Sequence, residues 1–456
     1  MRKLLMIGAA AATVVGLGAA TTAGQTPRNE AFRLIGLFGD ALATVERDYV
    51  VPVDDKKLIE AALQGMMGAL DPHSSYLPLK AYGDLRERTE GQYSGVGLTI
   101  SSEGGLVKII SPMDGGPAAR AGVQAGDVIS AIEGQNSTGL TVSQVSEKLR
   151  GAAGTSVKVT FLRDGEEPRE VTLTREIIKI DSVTGRVEGD FGVLRISTFN
   201  ENTGRELTET ITRLKSENPA LKGYVLDLRN NGGGLLDAAI AVSDAFLERG
   251  EIVSQRGRRP EQIVRYTAKP GDLTDGLPIV VLINYGSASA SEIVAGALKD
   301  HERATLVGLT SFGKGSVQSV IPLRGGADGA LSITTARYYT PSGDSIQKIG
   351  IEPDLEVARS EAEAKIVSRS NFIYSEAAYA TALDASIGAE RKGPHTPHEA
   401  PGEAYDKDKD YQLERAFDVL RANGNLTQLA AAPEGIVVTA PGTAMAAVDE
   451  AADETP

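Results

Sequence analysis

The spacing of hydrophobic and polar positions changes several times along the chain. Apolar residues recur at helical intervals over 29–50 and 54–70, and a third helix is expected over 79–91, ending at Gly91. Turn-forming residues interrupt this pattern at 71–78. These helices are too few and too charged to form a domain alone. We therefore expect this N-terminal helical region, residues 29–90, to support a larger domain or to mediate its dimerisation.

Short apolar runs bounded by glycines replace the helical pattern over residues 91–180. The runs include GVGLTI, LVKIIS and SVKVTFLRDG, and two short helical pieces, GPAARAG and TVSQVSEKLRG, interrupt them. Strands of this length with two helices predict a small, partly open barrel.

Strands and helices alternate from residue 181 onward. The strands FGVLRIS, GYVLDLR, PIVVLIN and ATLVG are separated by amphipathic helices, which predicts an α/β layer structure over 181–356. A C-terminal helical region follows over 357–430, with a helix at 411–424 that a glycine stops. Residues 431–456 are rich in Ala, Pro, Thr and acids, which predicts a disordered tail.

The N-terminus has the layout of a secretory signal peptide. Basic residues, an apolar run and small residues follow one another over 1–23, with cleavage expected after Ala23. An uncleaved membrane anchor is the alternative, although the run is short and rich in Ala and Gly for a stable span. We therefore expect the protein in the periplasm or otherwise exported, with the membrane-anchored form as the competing interpretation.

Composition narrows the classes of function. The net charge of −14 argues against nucleic acid or anionic lipid as the main partner. The chain has no cysteine, which excludes disulfides, a thiol nucleophile and zinc–thiolate sites.

The stretch YGSASASEI raises the first chemical question. Ser287, Ser289 and Ser291 lie between the strand PIVVLIN and a predicted helix. The free N–H groups at a helix N-terminus would stabilise an oxyanion formed when a serine attacks a carbonyl. Alternatively, the serines only cap the helix and allow close packing.

The stretch GLTSFGKGSVQ contributes a candidate base. It nearly matches a phosphate-binding loop, but Gly315 stands where the magnesium-binding hydroxyl is required and a strand follows, so an NTPase is rejected. What remains is Lys314 between two glycines in an apolar context. A desolvated lysine has a lowered pKa and can act as a general base for serine. In an extended segment, positions 314, 316 and 318 share a face, so Gln318 could orient Lys314.

Two glycine-rich stretches predict close approach of a ligand to the backbone. In VLDLRNNGGGLLDA the glycines point N–H groups inward, although a ligand-free turn remains the alternative. Asp227 and Arg229 there are expected to pair with each other or with backbone rather than bind substrate. In SGVGLTI, the N–H groups of Gly95, Val96, Gly97 and Leu98 are expected to capture a peptide's terminal carboxylate, with the peptide adding along the strand.

Together these pieces resemble the carboxy-terminal processing peptidases, also called tail-specific proteases, which are serine endopeptidases with a PDZ domain. The resemblance runs from about Asn29 to Asp354 and is carried by DPHSSYL, GPAARAGVQAGDVI, LDLRNNGGG and GSASASEIVAGALKDHERATLVGLTSFGKGSVQ. It implies a ClpP/crotonase-like α/β protease core, a PDZ domain over 91–180 and flanking helices. It implies no cofactor and no metal.

The resemblance assigns catalytic roles residue by residue. It makes Ser289 the nucleophile, Lys314 the base and Gln318 the supporting residue. Ser287 and Ser291 are then expected to be structural, in packing and helix capping.

The same resemblance places two further functions. The oxyanion donors would be the N–H of Ala290 and of a glycine in 232–234, with Gly233 favoured but its register not fixed. Arg175, in LTREI, maps to a hinge arginine that reports PDZ occupancy to the active site.

Other assignments stay open at the level of sequence. His73 and His301 are alternative bases, although each is expected to be structural. The alternative function is a catalytically inactive PDZ scaffold or adaptor, against which the intact Ser289, Lys314 and Gln318 count. The expected partners are unfolded or tail-exposed protein substrates. A second copy bound through the terminal helices and an activating protein are further candidates.

Overall fold

The structure is a computed structural model, and it describes part of the chain. The described residues are 26–259, 261–369, 374–385, 391, 393, 397, 399–402, 405–406, 408–429 and 437–438. The predicted signal peptide and most of the predicted tail lie outside them. The chain divides into two compact units, Met1–Met66 and Met67–Pro456. No helix within the described ranges is long and apolar enough to cross a membrane.

The first unit contains the two predicted amphipathic helices. They are α1 (Thr26–Asp48) and α2 (Asp55–Gly68), which extends just past the boundary of the unit. Asp54 starts α2, because its carboxylate accepts the N–H of Lys57 at 3.2 Å and so satisfies a free donor of the first turn.

The second unit opens with β1 (Ser75–Leu77) and α3 (Leu79–Glu90). The helix ends at Gly91, as the sequence predicts. Gly91 has a φ of 68°, and its N–H bonds the carbonyls of Glu87 and Arg88. A glycine adopts this left-handed conformation without strain, which is why it stops the helix.

The predicted barrel forms an antiparallel sheet with two helices. Its main strand order is β3-β4-β5-β7-β8, and β2 pairs with β9, so the chain enters and leaves the domain side by side. The capping box of Thr141 and Gln144 starts α5. The elements are β2 (Gln92–Gly95), β3 (Leu98–Glu103), β4 (Leu106–Pro112), α4 (Pro117–Arg120), β5 (Val128–Ile132), β6 (Gln135–Asn136), α5 (Val142–Leu149), β7 (Ser156–Leu162), β8 (Arg169–Thr174) and β9 (Glu176–Lys179).

The α/β core contains a six-stranded sheet in the order β10-β11-β12-β15-β16-β19. The first pair is antiparallel and the rest are parallel, as the alternating pattern predicts. The elements are β10 (Val183–Glu188), β11 (Phe191–Ile196), α6 (Thr203–Glu217), β12 (Gly223–Asp227), α7 (Leu236–Asp244), β13 (Glu251–Gly257), β14 (Ile263–Thr267), β15 (Ile279–Ile283), α8 (Ala290–Asp300), β16 (Ala304–Gly308), β17 (Ser316–Pro322), β18 (Ala330–Tyr339) and β19 (Leu355–Glu356).

Within the described residues, the C-terminal region contains two α-helices, and the second of them packs on the core. It contains α9 (Glu361–Arg369), β20 (Glu399–Ala400), α10 (Tyr411–Arg421) and β21 (Val437–Val438). The prediction of disorder from residue 431 is wrong for β21, because this short strand pairs with β20.

Helices cover both faces of the six-stranded sheet. On one face, side chains of α6, α7 and α8 pack with Leu226 and Val281; on the other, Phe417 and Leu420 of α10 pack with Val225. This double burial explains why β12 and β15 are buried at every position and read as continuous apolar runs.

A second, antiparallel sheet has the order β1-β18-β13-β14, with β17 also paired to β18. The long strand β18 therefore pairs both with β17, which follows Lys314, and with β1, which lies in the DPHSSYL stretch.

Candidate active site

The predicted nucleophile lies in a tight turn between β15 and α8. Ser289 has φ 56° and ψ −111°, and Ala290 is the first residue of the helix. Positive φ is uncommon for a residue with a side chain and is concentrated at functional sites. The turn therefore presents a half-buried serine directly at a helix N-terminus.

The two outer serines hold this turn in place. Ser287 Oγ donates to the carbonyl of Leu228 at 2.8 Å, and Ser291 Oγ donates to that of Asn231 at 2.9 Å. Both serines are fully buried. These bonds tie the turn to the loop after the neighbouring strand β12, which fits the packing role expected for Ser287 and Ser291.

Lys314 lies on a segment that another backbone approaches closely. A Cβ atom at Gly315 would lie 2.4 Å from the backbone nitrogen of Gln347, so only glycine fits there. Gly315 also donates its N–H to Gln347 Oε1 at 3.0 Å. Gly313 has a φ of 93°, which favours glycine as well. The two glycines thus bring the chain close to its neighbours, and the lysine between them is half-buried.

Burial lowers the pKa of Lys314 below its usual value, while the charges of Glu376, Glu292 and Asp71 oppose that shift. The direction agrees with the sequence prediction, since desolvation disfavours the charged ammonium. A lysine with a lowered pKa is neutral in a larger fraction of molecules at a given pH, and only the neutral amine can accept a proton.

A single buried carboxylate connects the turn of Ser289 to the segment of Lys314. Glu292 Oε2 accepts the backbone N–H of Ser289 at 2.7 Å and that of Lys314 at 2.9 Å. Its Oε1 accepts the Ser311 hydroxyl and the Gly313 N–H, each at 2.6 Å. The same oxygen binds both backbone nitrogens. The distance between the two nitrogens therefore cannot exceed the sum of the two hydrogen-bond lengths.

The environment of Glu292 also changes its protonation. Complete burial raises its pKa to about 7, although its four hydrogen bonds act in the opposite direction. Sequence reasoning did not single out this residue. The signal was present, because Ser-Ala-Ser-Glu from Ser289 to Glu292 fits the S-x-x-E pattern of a helix start.

The side chains of Ser289 and Lys314 make no hydrogen bond to each other within the described residues. Catalytic hydrogen bonds are often long or misaligned without substrate and tighten only in the complex. What the structure provides is a common scaffold, Glu292, for both backbones.

Gln318 lies near the base segment but contacts other groups. Its Nε2 donates to Ser316 Oγ at 2.9 Å and to Thr334 Oγ1 at 3.1 Å. A register shift between Val317 and Gln318 interrupts the simple alternation assumed from the sequence. The supporting role of Gln318 toward Lys314 therefore stays a prediction.

The two candidate histidine bases have other partners. His73 Nε2 lies 2.7 Å from Glu376 Oε2, and His301 Nε2 lies 2.7 Å from the carbonyl oxygen of Glu251. Both contacts fit the structural role expected for the two histidines.

The Glu376 side chain also accepts a hydrogen bond from Gln347 Nε2 at 2.9 Å. Gln347 in turn accepts the N–H of Gly315, next to Lys314. Sequence reasoning missed this chain because 303 residues separate His73 from Glu376.

The glycine-rich loop 231–234 lies against the nucleophile turn. A Cβ atom at Gly233 would lie 2.9 Å from that of Ser289. The Gly233 N–H, however, donates to Asn231 Oδ1 at 2.9 Å. The N–H of Ala290 belongs to the first helical residue, which has no acceptor within its own helix. Ala290 thus suits an oxyanion donor, while the assignment of Gly233 stays a prediction.

Asp227 and Arg229 pair with each other, as expected. Arg229 Nη2 lies 2.8 Å from Asp227 Oδ2 and 2.6 Å from Asp410 Oδ2, and Nη1 donates to Gln412 Oε1 at 2.9 Å. This arginine therefore anchors the start of α10 to the loop behind the candidate active site.

The four residues predicted to bind peptide line a groove of the barrel domain. It has a volume of about 190 Å³ and is lined by Tyr93, Gly95, Val96, Gly97, Leu98, Ile100, Ser146, Leu149 and Arg150. The N–H groups of Val96 and Gly97 make no hydrogen bond to any described residue. They are thus positioned as free donors beside the strand on which a peptide would add.

Arg175 lies at the end of the helix that borders this groove. Its guanidinium donates to the carbonyls of Lys148, Leu149 and Ser156 and to Thr155 Oγ1, each at 3.0 Å. All these partners belong to the barrel domain, so coupling of Arg175 to the active site stays a prediction.

Parts of the chain match known protein families. Residues 190–357 match the sequence profile of peptidase family S41, and residues 108–163 match that of the PDZ domain. The chain is 46% identical over 419 residues to a carboxy-terminal-processing protease of Bartonella bacilliformis, covering 90% of this chain and 93% of the relative. It is 38% identical over 312 residues to a carboxyl-terminal-processing protease of Synechocystis, covering 66% and 72%.

Among solved structures, the chain is similar to the photosystem II D1 C-terminal processing protease. The identity is 34%, the TM-score is 0.42, and the match covers 74% of this chain and 93% of that one. Within the described residues, no group of three or more His, Cys, Asp or Glu side chains is arranged to hold a metal ion.

Proposed function

Since the chain belongs to the carboxy-terminal-processing proteases of peptidase family S41, we propose that it is an exported serine endopeptidase with a Ser289/Lys314 dyad. The PDZ domain binds the C-terminal tail of an unfolded or tail-exposed protein, and the dyad cleaves that protein. The single observation that supports the dyad best is the Glu292 carboxylate, which binds the backbones of both residues through one oxygen.

In the proposed reaction, neutral Lys314 accepts the proton of the Ser289 hydroxyl as the oxygen attacks the scissile carbonyl. The C–O bond forms, and the carbonyl oxygen becomes an oxyanion at the N-terminus of α8, where the Ala290 N–H stabilises it. Collapse of this intermediate breaks the C–N bond, and the amine leaves with the proton held by Lys314. Water then hydrolyses the acyl-enzyme by the same proton transfers in reverse order.

Export is proposed from the N-terminal sequence, whose basic, apolar and small-residue segments have the order of a signal peptide. Expression in a Gram-negative host, followed by fractionation and N-terminal sequencing, tests it. A chain that begins near Gly24 in the periplasmic fraction supports export, whereas an intact N-terminus in the cytoplasm contradicts it.

The test of the catalytic proposal uses an unfolded protein substrate. Incubation with the mature protein should produce fragments on a gel, and Ser289→Ala should abolish them. Ser287→Ala, altered in the same turn but with an expected structural role, serves as a comparison whose folding is checked by circular dichroism. Cleavage by Ser289→Ala at the rate of the unaltered protein would contradict the assignment of Ser289. Absence of cleavage by either protein would instead favour the inactive-scaffold alternative.

A further inference from the structure

Two arginines on neighbouring strands of the second sheet face each other without an acidic partner. Arg256 on β13 and Arg337 on β18 are register partners. Directly opposed side chains lie on the same face of a sheet, and like charges in such positions destabilise it. Neither guanidinium makes an ion pair or donates a hydrogen bond to any residue that the structure describes, and both Nε atoms are buried.

The unpaired polar atoms around them belong to the same patch. Eight buried side-chain polar atoms lack a hydrogen-bond partner within the described ranges. Four of these eight are Arg256 Nε, Arg337 Nε, Ser254 Oγ and Ser345 Oγ. Ser254 and Ser345 each pair with Tyr339, two residues beyond Arg337 on the same strand. Buried polar groups are nearly always bonded to protein or to ordered water, so these four atoms are available to a polar ligand.

The neighbouring charges do not neutralise the pair. Asp384 is close enough to Arg337 for its pKa to respond to the arginine's charge, but its carboxylate is bound to Lys348 at 2.9 Å. The Arg256 guanidinium lies over the ring of Tyr339, 3.8 Å from its centre. A ring of this kind holds the guanidinium plane in place but provides no hydrogen-bond acceptor in that plane.

The patch adjoins the base segment of the dyad. Arg337 is the register partner of Ser316, and the Tyr338 N–H donates to the carbonyl of Gly315 at 2.7 Å. Ser316, Arg337 and Arg256 therefore form a row across three adjacent strands, and the row begins two residues after Lys314. Strands lie about 4.8 Å apart, so the row extends roughly 10 Å across the sheet from Ser316.

We propose that Arg256 and Arg337 form a substrate subsite for a carboxylate, with Ser254 and Ser345 as hydroxyl donors at its base. Two guanidiniums present planar pairs of donors that match a carboxylate, and binding one would also remove the repulsion between them. The carboxylate is either an acidic side chain of the substrate or its free C-terminus. This subsite rests on the proposed proteolytic function, because the ligand is a peptide substrate.

The test is peptide binding to the full chain carrying Ser289→Ala, so that binding is measured without turnover. Fluorescence anisotropy gives Kd for labelled peptides that differ only in Glu against Gln at successive positions, all with amidated C-termini. A second set compares free with amidated C-termini. Each set is measured with Arg337→Gln, with Arg256→Gln and with the control Arg324→Gln, whose side chain is 85% exposed and pairs with Asp328.

We expect Arg337→Gln and Arg256→Gln to reduce the preference for the carboxylate form by about tenfold or more, the size of a charge-assisted hydrogen bond. Arg324→Gln should leave the preference unchanged. The peptide set whose preference changes identifies the source of the carboxylate. If the preference for Glu over Gln is lost, the subsite binds an acidic side chain. If the preference for a free over an amidated C-terminus is reduced, it binds the C-terminal carboxylate. The PDZ groove contributes equally to every variant and cancels in this comparison.

Thermal unfolding provides the second readout. Removing one of two opposed charges should leave the Tm unchanged or raise it, whereas a purely structural arginine would lower it when replaced. Unchanged preferences in both peptide sets, or a lowered Tm with equal weakening of acidic and neutral peptides, would overturn the subsite. Failure of the proteolytic proposal is seen separately, as absence of cleavage by the chain with Ser289 intact.

Discussion

At the proposed dyad, one buried carboxylate accepts hydrogen bonds from the backbone N–H groups of both Ser289 and Lys314. In the PDZ groove, by contrast, the N–H groups of Val96 and Gly97 make no hydrogen bond to any described residue. The candidate active site is thus held by internal hydrogen bonds, while the groove has backbone donors without a partner among the described residues. Chemistry needs fixed geometry, whereas recognition of many tails needs backbone donors that any peptide can use.

The largest expected effect breaks the dyad itself. Lys314→Ala should lower kcat/KM on an unfolded substrate by several orders of magnitude, because loss of one member of a catalytic unit removes most of its acceleration. Lys222→Ala, an exposed lysine whose partner is Asp190, is the control. Cleavage by Lys314→Ala above about a tenth of the normal rate would transfer the role of base to His73 or His301.

The next change weakens the scaffold between the two segments. Glu292→Gln replaces a carboxylate that accepts four hydrogen bonds with an amide whose NH₂ faces at least one donor. We expect a loss of about 2 kcal/mol or more in the free energy of unfolding, with a fall in kcat. Glu217→Gln, on the exposed face of α6, should change neither. Equal unfolding free energies for Glu292→Gln and the unaltered protein would show that the four bonds contribute nothing net.

Because the pKa of Glu292 is raised, the free energy of unfolding should depend on pH differently in Glu292→Gln and in the unaltered protein. Its folded-state pKa of about 7 exceeds the ordinary value of 4.5, so the folded state binds more protons between these values. The corresponding stabilisation is complete below pH 4.5 and is lost as the pH rises through 7. Denaturant titrations across this window should show a pH dependence that is reduced in Glu292→Gln.

The pH dependence of catalysis tests the role of Lys314 as the base. Because burial lowers the pKa of Lys314, the fraction of neutral lysine, and with it kcat/KM, should rise with pH up to that pKa. The expected slope is about tenfold per pH unit while the lysine is mostly protonated. Lys314→His should shift the rising part of the pH profile to a different pH. A profile that is the same in both proteins would reject Lys314 as the base.

The smallest expected effect concerns the groove. Amidating the C-terminus of an apolar-ended peptide should weaken its binding by about tenfold, because the Val96 and Gly97 N–H groups lose a charged acceptor. Isothermal titration of the full chain carrying Ser289→Ala measures this difference. Leu98→Lys, which alters the strand beside the donors, should weaken both peptides. Equal affinities for the free and amidated forms would leave the groove without a carboxylate site.

The sequence predicted those features that local pattern determines. Continuous apolar runs predicted the strands β12 and β15. Gly91 predicted the end of α3. The glycines around Lys314 predicted the desolvation that lowers its pKa. Each of these depends on residues next to one another in the chain.

Features that depend on distant contacts were not predicted. Glu292 looked like an ordinary acidic residue in the first turn of a helix, and only folding showed it to be completely buried. The pairing of His73 with Glu376 and of Arg256 with Arg337 joins separate elements. A register shift at Gln318 and a side-chain bond to the Gly233 N–H likewise left no trace in the sequence.

The bonds of Arg229 to Asp410 and Gln412 have a consequence for biosynthesis. A ribosome makes Ser289 and Lys314 before the helix α10, which covers the second face of the six-stranded sheet and ends only at Arg421. Until then one face of β12 and β15 has no cover, and the loop behind the nucleophile lacks its anchor. A nascent chain therefore completes the packing around the candidate active site only after residue 421 has emerged from the ribosome.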